Sequence, residues 1–322
     1  MKKDILIKST CEATQLRVYV KDQIDGDPLW CARFNATNPE AVAQIHLDFL
    51  EAGADIIVTN TYQASVAGYM QHLGLSREES IDLIKKTVKL ARDAREKFLA
   101  KTRLAVNKKG LPLIAASIGP YGAHLHDGSD YSGDYAEKVK PEVIKEWHKT
   151  HIDAVLEAGV DALAFETVPC QAEAKALADL LCDDYPHVKF WLSLQCKDGS
   201  SLANGDSFAE TCSLLWDQFT SHNITENCLG IGTNCLNPKY VTSLLESVNG
   251  KRPENQRIPI VVYPNSGETY DKNEGWLQEG NRPTLDDYVP KWIELGVKVL
   301  GGCCRTSIHD IPKYREIISN LT

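Results

Sequence analysis

Cysteine is the residue type in this chain whose placement most suggests chemistry. Near the C-terminus, the apolar run Val297-Lys298-Val299-Leu300 is followed by Gly301-Gly302-Cys303-Cys304-Arg305-Thr306. Upstream, Leu229-Gly230-Ile231-Gly232-Thr233-Asn234-Cys235 ends in the same way. Adjacent cysteines make a poor disulfide, because neighbouring Cα atoms stand about 3.8 Å apart and the bond prefers about 5.5 Å. Two thiolates on one tight turn, joined by a third from elsewhere, suit a soft metal. Zn²⁺ favours thiolates in tetrahedral geometry, and three protein ligands leave the fourth position open to substrate. Cys235, Cys303 and Cys304 are therefore the expected ligands of a Zn²⁺ cofactor. A buried cysteine is equally a small core filler, and each of the three taken singly has that alternative. The doubled cysteine after two glycines, echoed after a second run, favours the metal.

These cysteines must be positioned by strand ends. Ile5-Leu6-Ile7, Asp55-Ile56-Ile57-Val58-Thr59, Leu113-Ile114-Ala115-Ala116-Ser117 and Val160-Asp161-Ala162-Leu163-Ala164-Phe165 are short apolar runs. So are Lys189-Phe190-Trp191-Leu192-Ser193-Leu194 and the residues at 228–232, 258–263 and 297–300. Helical patterns separate them. Asn38-Pro39-Glu40 supplies a cap, a proline at the first helical position and an acid for the dipole, and Gly53 suits the other end. Ser76 with Glu79 is a capping box opening a long amphipathic helix through Ile81, Ile84, Val88 and Ala91. Further helices are expected over 141–158, 171–182, 208–219, 238–248, 284–295 and 308–319. Eight strands alternating with helices point to one parallel sheet, closed as a single (β/α)₈ TIM barrel of class α/β over residues 1–322. An open doubly wound sheet is the alternative, but no Gly-x-Gly-x-x-Gly turn follows the first strand. Barrel enzymes place chemistry at strand carboxyl ends, where Glu166, Cys235, Asn265, Glu268, Cys303 and Cys304 all fall.

The 322 residues are 43% hydrophobic, an ordinary fraction for a globular protein. The formal charge of −9 is spread without an acidic or basic block, which argues against nucleic acid and anionic membrane as partners. No stretch approaches 18 uninterrupted apolar residues, and Met1-Lys2-Lys3-Asp4-Ile5-Leu6-Ile7 turns polar too quickly for a signal peptide. Ten cysteines without regular spacing fit a reducing cytosol, so the expected location is cytoplasmic. The oligomeric state stays open.

The two cysteine stretches resemble the zinc signature of the homocysteine S-methyltransferase family, in the branch using S-methylmethionine or S-adenosylmethionine. Further blocks agree: Thr59-Asn60-Thr61-Tyr62-Gln63-Ala64, Gly119-Pro120-Tyr121-Gly122-Ala123, Asp127-Gly128-Ser129, Glu166-Thr167-x-Pro169 and Val261-Val262-Tyr263-Pro264-Asn265-Ser266-Gly267-Glu268. The resemblance runs from about Asp27 to the C-terminus. It implies a small-molecule thiol acceptor, homocysteine, and a sulfonium methyl donor, giving methionine. It implies catalytic roles for the three cysteines and substrate-binding roles for Glu166, Asn234, Tyr62, Asn265, Ser266 and Glu268, with Glu166 on the acceptor's ammonium. The loop at 124–131 would lie beside the substrate site, and its two histidines at i, i+2 read as solvated or loop-bracing rather than as ligands. The betaine-using branch lacks the 263–268 pattern.

In the family a second acid near the end of strand one shares the ammonium, within Asp-Gly-x-x-x-Thr-Glu-Leu. Here Ser9-Thr10-Cys11-Glu12-Ala13-Thr14-Gln15-Leu16 has Ser9 for the aspartate and Gln15 for the glutamate. Either Glu166 suffices, another acid such as Glu12 substitutes, or the acceptor differs. Tyr62, Tyr121 and Trp30 are candidate aromatic faces for a sulfonium, with barrel packing the alternative. Arg305 is either a cation offsetting the charge of the metal site or a surface cation. Two other functions compete: a zinc hydrolase, disfavoured because three thiolates acidify bound water less than three histidines, and an altered relative that binds or methylates a different thiol.

Overall fold

The computed structural model describes residues 5–21, 24–102, 110–271, 275–277 and 285–321. Met1-Lys2-Lys3-Asp4 and Thr284, on which two of the expectations above partly rest, lie outside the described residues.

Eight parallel strands form one sheet: β1 (Leu6–Ile7), β2 (Ile56–Val58), β3 (Leu113–Ile118), β4 (Ala162–Val168), β5 (Phe190–Leu194), β6 (Cys228–Asn234), β7 (Ile260–Tyr263) and, after a small antiparallel hairpin of β8 (Thr269–Asp271) and β9 (Gly275–Leu277), β10 (Val297–Leu300). The order is β1-β10-β7-β6-β5-β4-β3-β2. The ends meet, since Lys8 bridges Ile56 in parallel. There Ser9 N donates to Ile56 O and Asp55 N to Ile7 O, both at 2.7 Å. The expected (β/α)₈ barrel is therefore closed. The hairpin was not anticipated, and neither was the helix Val66–Leu73, capped by Ser65 and ended by Gly74.

Strand alternation decides what faces inward, because successive side chains point to opposite faces. In β4, Leu163 and Phe165 join the layer beneath the helices, while Ala162 and Ala164 line the barrel interior. The same period carries Glu166 inward. In β1, Ile7 faces the helices and Leu6 the interior, so Lys8 follows Leu6. The interior is filled by Trp191 and Tyr263, the indole donating to the phenol at 3.1 Å, beside Ala115, Ala162 and Ala164. Small residues on some strands leave room for two large rings on others.

Sequence and structure differ most at the strand ends. β4 runs on to Val168 instead of closing before Glu166, because Val168 pairs with Leu194 beyond an irregularity. β6 reaches Asn234, which pairs with Tyr263. The helical signals hold. Asn38 accepts from Ala41 N at 3.1 Å, and Ser76 and Glu79 exchange backbone and side-chain hydrogen bonds at 2.8 and 3.2 Å. No helix among the described residues is long and apolar enough to cross a membrane.

His46, on the helix Pro39–Glu51, is fully buried and neither ring nitrogen has a hydrogen-bond partner among the described residues. Burial lowers its pKa from 6.5 to about 4. The unfolded chain therefore binds a proton that the folded chain refuses, and stability is lost as pH falls from 6.5 towards 4. His46 alone should make the protein about 2 kcal/mol less stable at pH 5 than at pH 7. Urea midpoints at the two pH values should differ accordingly, and His46→Leu should narrow the gap.

Candidate metal and substrate site

Three thiols from two separate turns meet at the carboxyl end of the barrel. The Cys235, Cys303 and Cys304 sulfurs all lie within 4.8 Å of one another, a group that can hold a metal ion. Cys235 follows β6 in the left-handed conformation at φ 52, its amide donating to Tyr263 O at 3.0 Å. The turn after β10 is held by Cys303 N donating to Pro264 O at 2.8 Å and by Thr306 N closing on Cys303 O at 3.0 Å. Gly302 is required there, since a Cβ would stand 2.3 Å from Thr306 Oγ1. The Cys235 and Cys304 sulfurs are 3.3 Å apart. Hydrogen bonds from the Cys303 and then the Cys304 thiol hold Cys235 well below the usual thiol range. Cys303, bonded to that same sulfur, is pushed up. The cluster is thus arranged to carry negative charge, which suits a cation.

The Cys303 and Cys304 sulfurs open onto a small cavity of about 50 Å³, also lined by Lys8, Glu12, Trp30, Tyr62, Glu166 and Asn234. Glu166 Oε2 accepts the Ser117 hydroxyl, and Glu166 Oε1 lies 3.9 Å from Lys8 Nζ. Burial raises the Glu166 carboxyl and Lys8 pulls it back, leaving it above the ordinary value. Glu12 is raised well above its ordinary value by burial, despite Lys8. Asn234 Oδ1 accepts from Thr167 N at 2.8 Å and from Ser193 Oγ at 2.6 Å, and its Nδ2 donates to Thr167 Oγ1. These bonds lock Thr167 at φ 64, a costly conformation for a β-branched residue. Such strain at the end of β4 fixes where Glu166 points. Tyr62 donates to Asp130 at 3.2 Å and meets Trp30 edge-on at 6.3 Å between centroids. Tyr121 packs instead among His124, Tyr135 and Trp147.

The loop after β7 has a bracing part. Ser266 N donates to Cys304 O at 3.1 Å and Asn265 N to Leu236 O at 3.0 Å, so this loop ties the two cysteine turns together. Ser266 Oγ donates to Glu268 at 2.6 Å, and Glu268 pairs with Arg305 at 3.0 Å. None of Asn265, Ser266 and Glu268 lines the cavity. Arg305 is thereby a partner of Glu268.

Residues 12–318 match the sequence profile of the homocysteine S-methyltransferase family. The chain belongs to that family. A betaine-homocysteine S-methyltransferase of Drosophila melanogaster is 49% identical over 320 residues, 99% of this chain and 96% of its own length. Homocysteine S-methyltransferase 2 of Arabidopsis thaliana is 40% identical, covering 91% and 87% of the two chains. The metallated form of the homocysteine methyltransferase MmuM from Escherichia coli superposes with a TM-score of 0.81 at 35% identity, over 98% of this chain and 96% of its own. The fly protein's name sets betaine beside the sulfonium donors expected from sequence.

Three cavity-side residues escaped the sequence reading. Tyr131 brings its hydroxyl within 3.2 Å of Cys235 Sγ; its loop was expected near the site, its contact was not. Lys8 lies one residue beyond β1, and alternation from Leu6 places it inside the barrel. Cys11 lies against Cys304, whose thiol hydrogen bond lowers the Cys11 pKa, yet Cys11 stays outside the three-sulfur group. Cys11→Ala is therefore expected to leave bound metal within about a tenth of the wild-type stoichiometry, three thiolates sufficing. Elemental analysis checks this. The two departures from the family pattern have other surroundings. Ser9 Oγ accepts from Val58 N at 3.2 Å, and Gln15 donates to Asp48 at 3.0 Å.

Proposed function

We propose that this protein transfers a methyl group from a sulfonium donor, S-methylmethionine or S-adenosylmethionine, to the sulfur of homocysteine, with Zn²⁺ held by Cys235, Cys303 and Cys304. The observation carrying this reading is the three-sulfur group, two of whose cysteines line a cavity that also contains the buried Glu166. The donor set is all thiolate, which suits Zn²⁺ better than a hard cation. When bound, the ion leaves a position for the acceptor and lowers its thiol pKa so that a thiolate exists near neutral pH.

The chain's own residues then bind and align. Glu166 lies where it can accept the acceptor's ammonium. Trp30 and Tyr62 offer aromatic faces to a methyl-onium cation. In the transfer, the acceptor sulfur forms a bond to the methyl carbon while the donor's S–CH₃ bond breaks. The electron pair stays on the leaving sulfur, and a neutral thioether departs. No proton is needed by that leaving group, so the site requires no general acid. What it requires is the alignment of three atoms in line.

A donor panel tests the reading: zinc-loaded protein with homocysteine and, in turn, S-methylmethionine, S-adenosylmethionine and betaine, methionine being followed by mass spectrometry. Turnover with a sulfonium supports it. Turnover with betaine alone would transfer the donor assignment to the chemistry in the fly relative's name, and no methionine from any donor would end it.

A further inference from the structure

We propose that Lys8 is the seat of the acceptor's carboxylate, so that Lys8 and Glu166 together read an α-amino acid head group as a zwitterion. This deepens the thiol-methylation reading above and rests on it.

Lys8 and Glu166 line the same cavity as the cysteines. Lys8 is 3% exposed and Glu166 7%, so both are deeply set charges. Their separation, 3.9 Å from Nζ to Oε1, is longer than the roughly 2.8 Å of a closed charged hydrogen bond. The ammonium is steadied by Ser9 O at 3.1 Å and by the Tyr263 ring at 4.5 Å from its centroid. An ammonium has three donors, and the Ser9 carbonyl takes one. Within an amino acid head group, the nitrogen and the nearer carboxylate oxygen are about 3 Å apart, by ordinary covalent lengths. That span matches the Lys8–Glu166 gap. The substrate can lie against the pair head to tail, ammonium on Glu166 and carboxylate on Lys8, without either side chain leaving its place.

The charge balance of the cavity leads the same way. Among its described lining residues, Lys8 is the one cationic side chain, beside Glu12, Glu166 and two thiols of the metal group, Cys303 and Cys304. A carboxylate entering without Lys8 would meet no cationic side chain among the described lining residues. Burial acts to lower the Lys8 pKa, but Glu166 and then Glu12 outweigh it and leave it raised, so the cation persists at neutral pH.

The test uses three thiols with zinc-loaded wild type and Lys8→Met: homocysteine, its decarboxylated analogue aminopropanethiol, and its deaminated analogue mercaptobutanoate. Affinity is measured by calorimetry and transfer by steady-state kinetics. Lys8→Met should raise the homocysteine KM and dissociation constant at least about tenfold, the scale of a lost charged hydrogen bond. Aminopropanethiol should change less than about threefold, mercaptobutanoate should weaken with homocysteine, and kcat for homocysteine should stay within a small factor. Lys8→Arg should keep the wild-type preference. Lys8→Gln is the second neutral variant if Lys8→Met misfolds. Equal losses for homocysteine and aminopropanethiol would overturn the proposal, as would no loss for either. Tighter homocysteine binding by Lys8→Met would also overturn it and make Lys8 a competitor for Glu166. If wild type binds homocysteine in preference to both analogues yet methylates nothing, the transfer reading fails while the calorimetric comparison still decides the role of Lys8. Should wild type bind none of the three, the proposal fails with it.

Discussion

Cys235→Ser is expected to reduce bound zinc from about one ion per chain to below about a tenth, and methyl transfer by about three decades or more. Cys235 meets Cys304 Sγ at 3.3 Å and the Tyr131 hydroxyl at 3.2 Å, and thiol hydrogen bonds from Cys303 and Cys304 hold it well below the usual thiol range. A serine hydroxyl fits the space but is a hard, weakly acidic donor that does not become an anionic ligand near neutral pH, whereas a thiol does. Two thiolates on one turn cannot complete a three-ligand site. Elemental analysis beside the homocysteine assay checks both parts. Cys11→Ala is the control, a cysteine in the same cavity outside the sulfur group. Stripping wild type with a chelator should abolish turnover and re-adding zinc should restore it. Full zinc retention by Cys235→Ser would remove this residue from the ligand set.

The three sulfurs were legible because each ends an apolar run after glycine, and a barrel directs all such ends to one face. The barrel itself was legible from eight runs and their helical spacers. What sequence does not carry is distance between side chains far apart in the chain. Tyr131 lies 104 positions from Cys235, and no local pattern reports their contact. Lys8 was hidden differently. Polar residues after Ile7 read as the end of a strand, while the Lys8 bridge to Ile56 shows the closing seam of the barrel continuing there. At Ser9, where the family pattern has an acid, Oγ accepts from Val58 N and faces Glu12 at 3.5 Å. Asn265, Ser266 and Glu268, expected at the substrate, also take part in holding the cysteine turns. Strand-end position predicts neighbourhood, and only packing decides which neighbours face the cavity.

Gly232→Ala is expected to destabilise the protein by about 3–5 kcal/mol, the range of severe overpacking with backbone displacement. An added Cβ at Gly232 would stand 1.8 Å from Val261 O and under 3 Å from Val261 C and N. Those are backbone atoms of β7, which pairs in turn with β10, so no side chain can swing aside to make room. β6 would have to move away from β7 just before Thr233 and Asn234 pair with Val262 and Tyr263. The displacement would reach Cys235, whose amide bonds to Tyr263 O, and the Asn234 clamp on Thr167. Stability and zinc content should therefore fall together, with a melting temperature lower by roughly 4–7 °C. Gly53→Ala separates this crowding from simple backbone strain. Gly53 has φ 101, yet nothing lies within 4 Å of a Cβ there, so its cost should be only about 1 kcal/mol with zinc unaffected. Thermal melts and elemental analysis on both variants give the comparison. A Gly232→Ala protein that melted with wild type would mean that β6 and β7 stand further apart than the close approach described here.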